Sequence, residues 1–173
     1  PVPLAGNQMR VAEPEVAFRM GADLPPRAEP YAVAEVMAAV DTAHPAIEFP
    51  DSRLEAFERA GEAALIADNA CAHLFVLGPP APEGWRALDL AAMPTRIGAE
   101  GRAPYEGRGG NALDDPRLAL TWLANALSGQ GLSLRRGEVV TTGTTTVPLP
   151  VEAGDVVRAE LGRLGELTVR VGV

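Results

Sequence analysis

Pro14 lies inside the run VAEPEVAF (11–18), between Glu13 and Glu15, and constrains the fold more than any other single residue. The run alternates. Val11, Glu13, Glu15 and Ala17 share one face of an extended strand, and Ala12, Pro14, Val16 and Phe18 share the other. Proline has no N–H to give a ladder, so this strand is expected at a sheet edge or at a bulge. Pro14 also drives Glu13 toward extended geometry, which agrees with a strand. Both carboxylates then leave one face, with their Cα atoms about 6.6 Å apart, twice the strand rise. Either that face meets water or a cation sits between them.

The rest of the chain divides by periodicity and punctuation. The segment 21–30 is a loop by its glycine and proline content. YAVAEVMAAVD (31–41) predicts a helix, with Val33, Val36, Met37 and Val40 on one face. HPAIEFP (44–50) predicts a short strand. SRLEAFERAGEAALI (52–66) predicts a helix at its start that loosens around Gly61. AHLFVLG (72–78) reads as a buried strand, and WRALDLAAM and TRIGAEG as two further strands. EGRGGNALDD (106–115) is a loop. It is followed by a helix over 116–129, capped by Asp114 or Asp115, with Pro116 in its first turn. Leu120, Leu123 and Leu127 form its stripe, with Trp122 and Ala126 alongside. From 138 the pattern turns to strands: EVVTTG, DVVRAEL, and GELTVRV returning through the turn GRLG. Helices early and short strands late indicate an α+β fold with a β-rich core.

Composition narrows the function. A chain of 173 residues, 47% hydrophobic, suits one domain that hides roughly 70% of its unfolded surface. No apolar run approaches the roughly 20 residues that span a bilayer, and no secretory leader is visible; a soluble cytoplasmic protein is expected. The net charge of −8 and the lack of a basic stripe argue against nucleic acid. One cysteine, Cys71, excludes an intrachain disulfide and thiol-rich zinc sites. All 15 basic residues are arginine, so a lysine Schiff base and a lysine general base are excluded within this chain.

Glu48 gives a third carboxylate, in PAIEF between Ile47 and Phe49, where a charge needs a partner. Three carboxylates with little imidazole and no thiolate cluster are hard oxygen donors that select Mg²⁺ or Mn²⁺. The alternative is that Glu13 and Glu15 are the wet face of an edge strand. GRGGNAL lacks the lysine and Ser/Thr of a P-loop and reads as a backbone turn. His44 reads as a structural residue before Pro45. A Cys71–His73 pair has the spacing for covalent catalysis, but nothing else in the sequence supports it.

The ordered blocks EPEVAF, HPAIEFPDSR, LIADNACAHLFVLG, LTWLANAL, GEVVTTGT and EAGDVVRAELGRLGELTVRV resemble the 2-keto-4-pentenoate hydratases of the fumarylacetoacetate hydrolase superfamily. The likeness runs from about residue 10 to the C-terminus. It implies a mixed β-roll or β-sandwich core with a few flanking helices. It also implies a divalent ion, Mg²⁺ or Mn²⁺, held by Glu13, Glu15 and Glu48. The implied reaction is addition of water to a 2-hydroxy-2,4-dienoate; the implied ligand is a small 2-oxo or 2-hydroxy acid. Relatives within the superfamily imply 2-oxo acid decarboxylase, acylpyruvate hydrolase or a non-catalytic binding protein as alternatives. Asp68 and Asn69 match a block near the active site and are expected to be catalytic. Cys71 stands where many members have serine. It is either a substrate contact or a small buried cysteine. Thr144, in TTGT, either faces substrate or shapes a turn. Asp51 and Arg53 either hold Glu48 or cap and decorate the next segment. The family also implies a homo-oligomer. Its members carry a further N-terminal segment with a lysine thought to move protons; residues 1–173 are expected to form a single domain without that segment, and ALDDP replaces a histidine-bearing loop.

Overall fold

A computed structural model describes all 173 residues. Nine strands form two antiparallel ladders. The first sheet has the order β3 (Leu74–Leu77), β2 (Val40–Phe49), β1 (Val11–Met20), β6 (Val139–Thr144), with β7 (Leu149–Pro150) pairing the start of β1. The second has the order β5 (Tyr105–Arg108), β4 (Pro94–Ala99), β8 (Val156–Leu161), β9 (Gly165–Arg170). Helices α1 (Val33–Ala39), α2 (Glu62–Ala67) and α3 (Pro116–Gly129) flank them. None is long and apolar enough to cross a membrane. The fold is the α+β, sheet-rich type expected.

One continuous core joins the sheets. Val16, Phe18, Ile47 and Phe49 come from the first; Ile97, Val157, Leu161 and Val169 come from the second. Alternation along β1 sends Ala12, Val16 and Phe18 into this core and leaves Glu13 and Glu15 on the opposite face.

Pro14 is accommodated in a central strand, not at an edge. In an antiparallel strand a residue's N and O point to the same neighbour. The Pro14 carbonyl accepts from the backbone N and Oγ1 of Thr145, both at 2.9 Å, so its missing N–H faces the β6 side. There β6 pairs residues 15–19 and β7 pairs Val11 and Ala12. Pro14 falls in the gap between them, one residue before a register shift at Glu15/Ala17.

Several local expectations change. β2 begins at Val40, because Val40 and Asp41 extend the ladder instead of α1. The segment after Ser52 is irregular, and the helix forms after Gly61, not before it. Residues 85–87 form a 3₁₀ turn, not a strand. β3 is an edge strand, with Phe75 39% exposed, rather than a buried one. Part of the 106–115 loop pairs as β5. Helix α3 has the bounds expected, with Asp115 as its cap accepting from the Arg117 N–H. Its inner face is Leu120 and Ala124, while Trp122 is 70% exposed.

The glycines of GRGGN have a packing reason. A Cβ at Gly107 would lie 2.0 Å from the Thr145 carbonyl oxygen. That oxygen also accepts from Asn111 Nδ2 at 2.9 Å and the Arg108 N–H at 3.2 Å. Thr145 therefore straps the end of β6 to β1 on one side and to the β5 segment on the other.

Candidate metal centre

Register assembles the site. Glu13 on β1 pairs directly with Glu48 on β2, and Glu15 follows two residues along on the same face. Carboxylate oxygens of all three lie within 4.8 Å of one another. Glu15 is fully buried, whereas Glu13 and Glu48 are half-buried. The Glu15 carboxylate accepts from the Gly143 N–H at 2.9 Å. TTGT thus contributes through Gly143. The sequence reading missed it because a backbone N–H has no residue signature.

Like charges and burial make this cluster hold protons. Burial, then the Glu15 charge, pushes Glu13 up to about 7. Burial, then Glu15, pushes Glu48 up to about 8. Burial also raises Glu15, opposed first by the hydrogen bond from the Gly143 N–H. No arginine pairs with any of the three. Burial of Glu15 counts against the wet-face alternative, and the arrangement can accept a hard cation that would replace the bound protons.

The sign of the pH dependence follows. Between the ordinary carboxylate range and about pH 8, the folded metal-free chain keeps protons that the unfolded chain has released, so stability falls as pH rises. Carboxylates held low, such as Asp68 and Asp115, act only below that window. The melting temperature in EDTA is expected to be higher at pH 5.5 than at pH 8.5, and excess Mg²⁺ to raise the pH 8.5 value. A melting temperature in EDTA that rises steadily over this window would contradict the cluster's protonation.

Asp68 is not one of the three converging carboxylates. Its carboxylate accepts from Ser52 Oγ at 2.6 Å, the Arg53 N–H at 3.1 Å and Arg53 Nε at 2.5 Å. The Ser52 hydroxyl and the Arg53 guanidinium hold it below the usual carboxylate range. Both oxygens accept from the 52–53 segment. Arg53 binds Asp68 and not Glu48. Asp51 accepts from the backbone of Gln8 (2.7 Å) and Met9 (3.3 Å), so neither holds Glu48 as one reading expected. The Thr144 hydroxyl donates to the Thr146 carbonyl at 3.1 Å, while its backbone pairs with Glu15.

Asn69, Ala70 and Cys71 have φ of 54°, 50° and 67°. Three successive left-handed residues are rare outside glycine. The turn puts Cys71 under Ser52, within the field of Glu13 and Glu48, and leaves Asn69 exposed. Burial pushes the Cys71 thiol up, partly offset by Ser52, so it stays protonated, and exposed His73 gives it no base. Replacing the exposed Ala70 by glycine removes steric strain of about 1–2 kcal/mol, against an unfolded-chain entropy cost of about 0.4–1 kcal/mol. Ala70→Gly is expected to raise the melting temperature by about 1–3 °C; a lower one would contradict the turn. His44 is structural: its Nδ1 donates to the Gly78 carbonyl at 2.9 Å, and Nε2 meets Thr42 Oγ1 at 2.8 Å.

Residues 2–172 match the family described as Fumarylacetoacetate (FAA) hydrolase C-terminal. The chain belongs to the fumarylacetoacetate hydrolase family. Among its relatives, the 2-keto-4-pentenoate hydratase of Burkholderia vietnamiensis (strain G4 / LMG 22486) is 34% identical over 168 residues, 96% of this chain and 62% of that protein. The 2-hydroxyhexa-2,4-dienoate hydratase of Comamonas testosteroni is 32% identical over 144 residues, 83% of this chain and 53% of that one. The structure of 4-oxalocrotonate decarboxylase from Pseudomonas putida G7, complexed with magnesium and adipate, superposes with a TM-score of 0.85 at 27% identity, covering 98% of this chain and 63% of that one. The chain therefore spans about half to three-fifths of the length of these relatives.

Proposed function

We propose that this chain carries the metal and substrate site of a hydratase that adds water to a 2-hydroxy-2,4-dienoate of the 2-keto-4-pentenoate kind. The observation that carries the reading is the convergence of Glu13, Glu15 and Glu48 from adjacent strands, one of them buried with no cationic partner. This donor set, three carboxylates and no soft ligand, fits Mg²⁺ or Mn²⁺. When bound, such an ion supplies Lewis acidity toward the 2-oxo and carboxylate oxygens of a 2-oxo acid.

The chain's own groups set the geometry. Gly143 fixes Glu15, which anchors the cluster, and half-exposed Glu13 and Glu48 frame its open side. Cys71 and Thr144 border the ligand, and the Asn69 amide at the exposed rim orients the acid. Asp68 acts as a positioning residue through Ser52 and Arg53. Relatives named as hydratases of two dienoates favour hydration over the decarboxylase reading, and a relative binding magnesium and adipate supports a carboxylate ligand beside the ion.

The test follows 2-hydroxypenta-2,4-dienoate absorbance with Mg²⁺ and with EDTA, and identifies the product. Metal-dependent loss yielding 4-hydroxy-2-oxopentanoate supports the reading. Release of CO₂, or no turnover despite tight Mn²⁺ binding, overturns it in favour of a decarboxylase or a binding protein. We place this activity in the cytoplasm. We also propose a homo-oligomer, supported by the apolar surface of Leu113, Leu118 and Trp122, which are 67%, 47% and 70% exposed. Light scattering is expected to give at least a dimer; a monomer would refute it.

A further inference from the structure

β3 brings an unexplained aromatic to the metal face. Across the sheet, Glu13, Glu48 and Phe75 are successive direct partners, and Glu15, Ala46 and Leu77 form the next row. Directly paired side chains stand on one face, with Cβ atoms about 4.5–5.5 Å apart. Leu74 and Val76 pack against the core; Phe75 and Leu77 point the other way and belong to no part of it. Phe75 is 39% exposed beside Glu48. A large apolar side chain at the rim of a carboxylate cluster is not accounted for by folding.

Neither Arg53 nor Arg19 is free to set a cation against Phe75. Arg53 is committed to Asp68. Arg19 lies four residues beyond Glu15, about 13 Å along the strand, and its guanidinium donates to the Gly137 carbonyl. We propose, resting on the hydratase reading above, that Phe75, backed by Leu77, is a specificity-determining wall. It packs on the hydrocarbon tail of a 2-oxo or 2-hydroxy acid whose oxygens lie at the Glu13–Glu15–Glu48 centre. The preferred tail is uncharged and apolar, and a distal carboxylate is disfavoured because it would meet the Phe75 ring beside Glu48.

The test is titration calorimetry on Mn²⁺-loaded protein at pH 8. The probes are oxalate, 2-oxobutanoate, 2-oxohexanoate and 2-oxoadipate, against wild type, Phe75→Ala and Phe75→Leu. Wild type is expected to bind 2-oxohexanoate more tightly than 2-oxobutanoate and 2-oxoadipate. Phe75→Ala is expected to weaken 2-oxohexanoate about tenfold, the effect of burying roughly two methylenes, and to leave oxalate and Mn²⁺ affinity unchanged. Phe75→Leu should fall between. Equal losses on oxalate and 2-oxohexanoate, no loss on either, or tighter binding of 2-oxoadipate overturns the wall. Wild type that fails to bind oxalate in a metal-dependent way overturns the metal-centre reading itself, and this inference with it.

Discussion

Glu15→Gln is expected to weaken Mg²⁺ and Mn²⁺ binding by at least about 100-fold, since even residues behind a ligand cost 10–100-fold when changed. Glu15 is the buried member of the cluster and the one fixed by the Gly143 N–H at 2.9 Å. A glutamine oxygen can still accept that hydrogen bond, so the backbone around β6 should hold. The charge that the ion needs is gone. The same substitution removes the like charge that helps to raise Glu13 and Glu48. In EDTA at pH 8.5 the variant is therefore expected to melt above wild type, and to lose the gain that wild type shows with Mg²⁺. Mn²⁺ titration and thermal melts read the two effects separately. Wild-type Mn²⁺ affinity in the variant would show that the carboxylates are not the metal centre.

Gly107→Ala should be severe for a different reason. Its backbone needs no left-handed conformation, so alanine meets no torsional objection there. The obstacle is the Thr145 carbonyl oxygen, 2.0 Å from where the Cβ would sit. That oxygen is backbone, tied to Asn111 and Arg108, and Thr145 is itself tied to Pro14. No rotamer change can relieve the clash. Overpacking of this kind costs about 3 kcal/mol or more, a drop in melting temperature of about 6–12 °C for a domain this size. Because Thr145 holds the end of β6, Gly143 should shift and Mn²⁺ affinity should fall as well. A variant that melts within a degree of wild type would rule out the strap.

How far the site was readable varies residue by residue. Glu13 and Glu15 were legible because strand periodicity alone puts i and i+2 on one face. Glu48 stood out as a charge in an apolar strand, but that it pairs with Glu13 depends on β1–β2 register, which two separated segments establish only on folding. Asp51 and Arg53 were read as possible supports of Glu48, but Asp51 accepts from the Gln8 and Met9 backbone and Arg53 pairs with Asp68. Those partners lie 15 or more residues away in the chain, so spacing does not reveal them. Phe75 read as core because composition cannot tell an edge strand from a central one.

Local rules on the sequence alone determined the α3 boundaries, the β-rich C-terminal half, the glutamate pair and the hard-donor chemistry. Capping, alternation and donor type act over a few residues, so neighbours in the chain suffice. Tertiary structure alone decided that Pro14 sits in a central strand between the ends of β6 and β7, that Gly143 supplies a donor to Glu15, and that Phe75 flanks Glu48. Each of these joins segments far apart in the chain, and only the register of the assembled sheets sets which residues face one another.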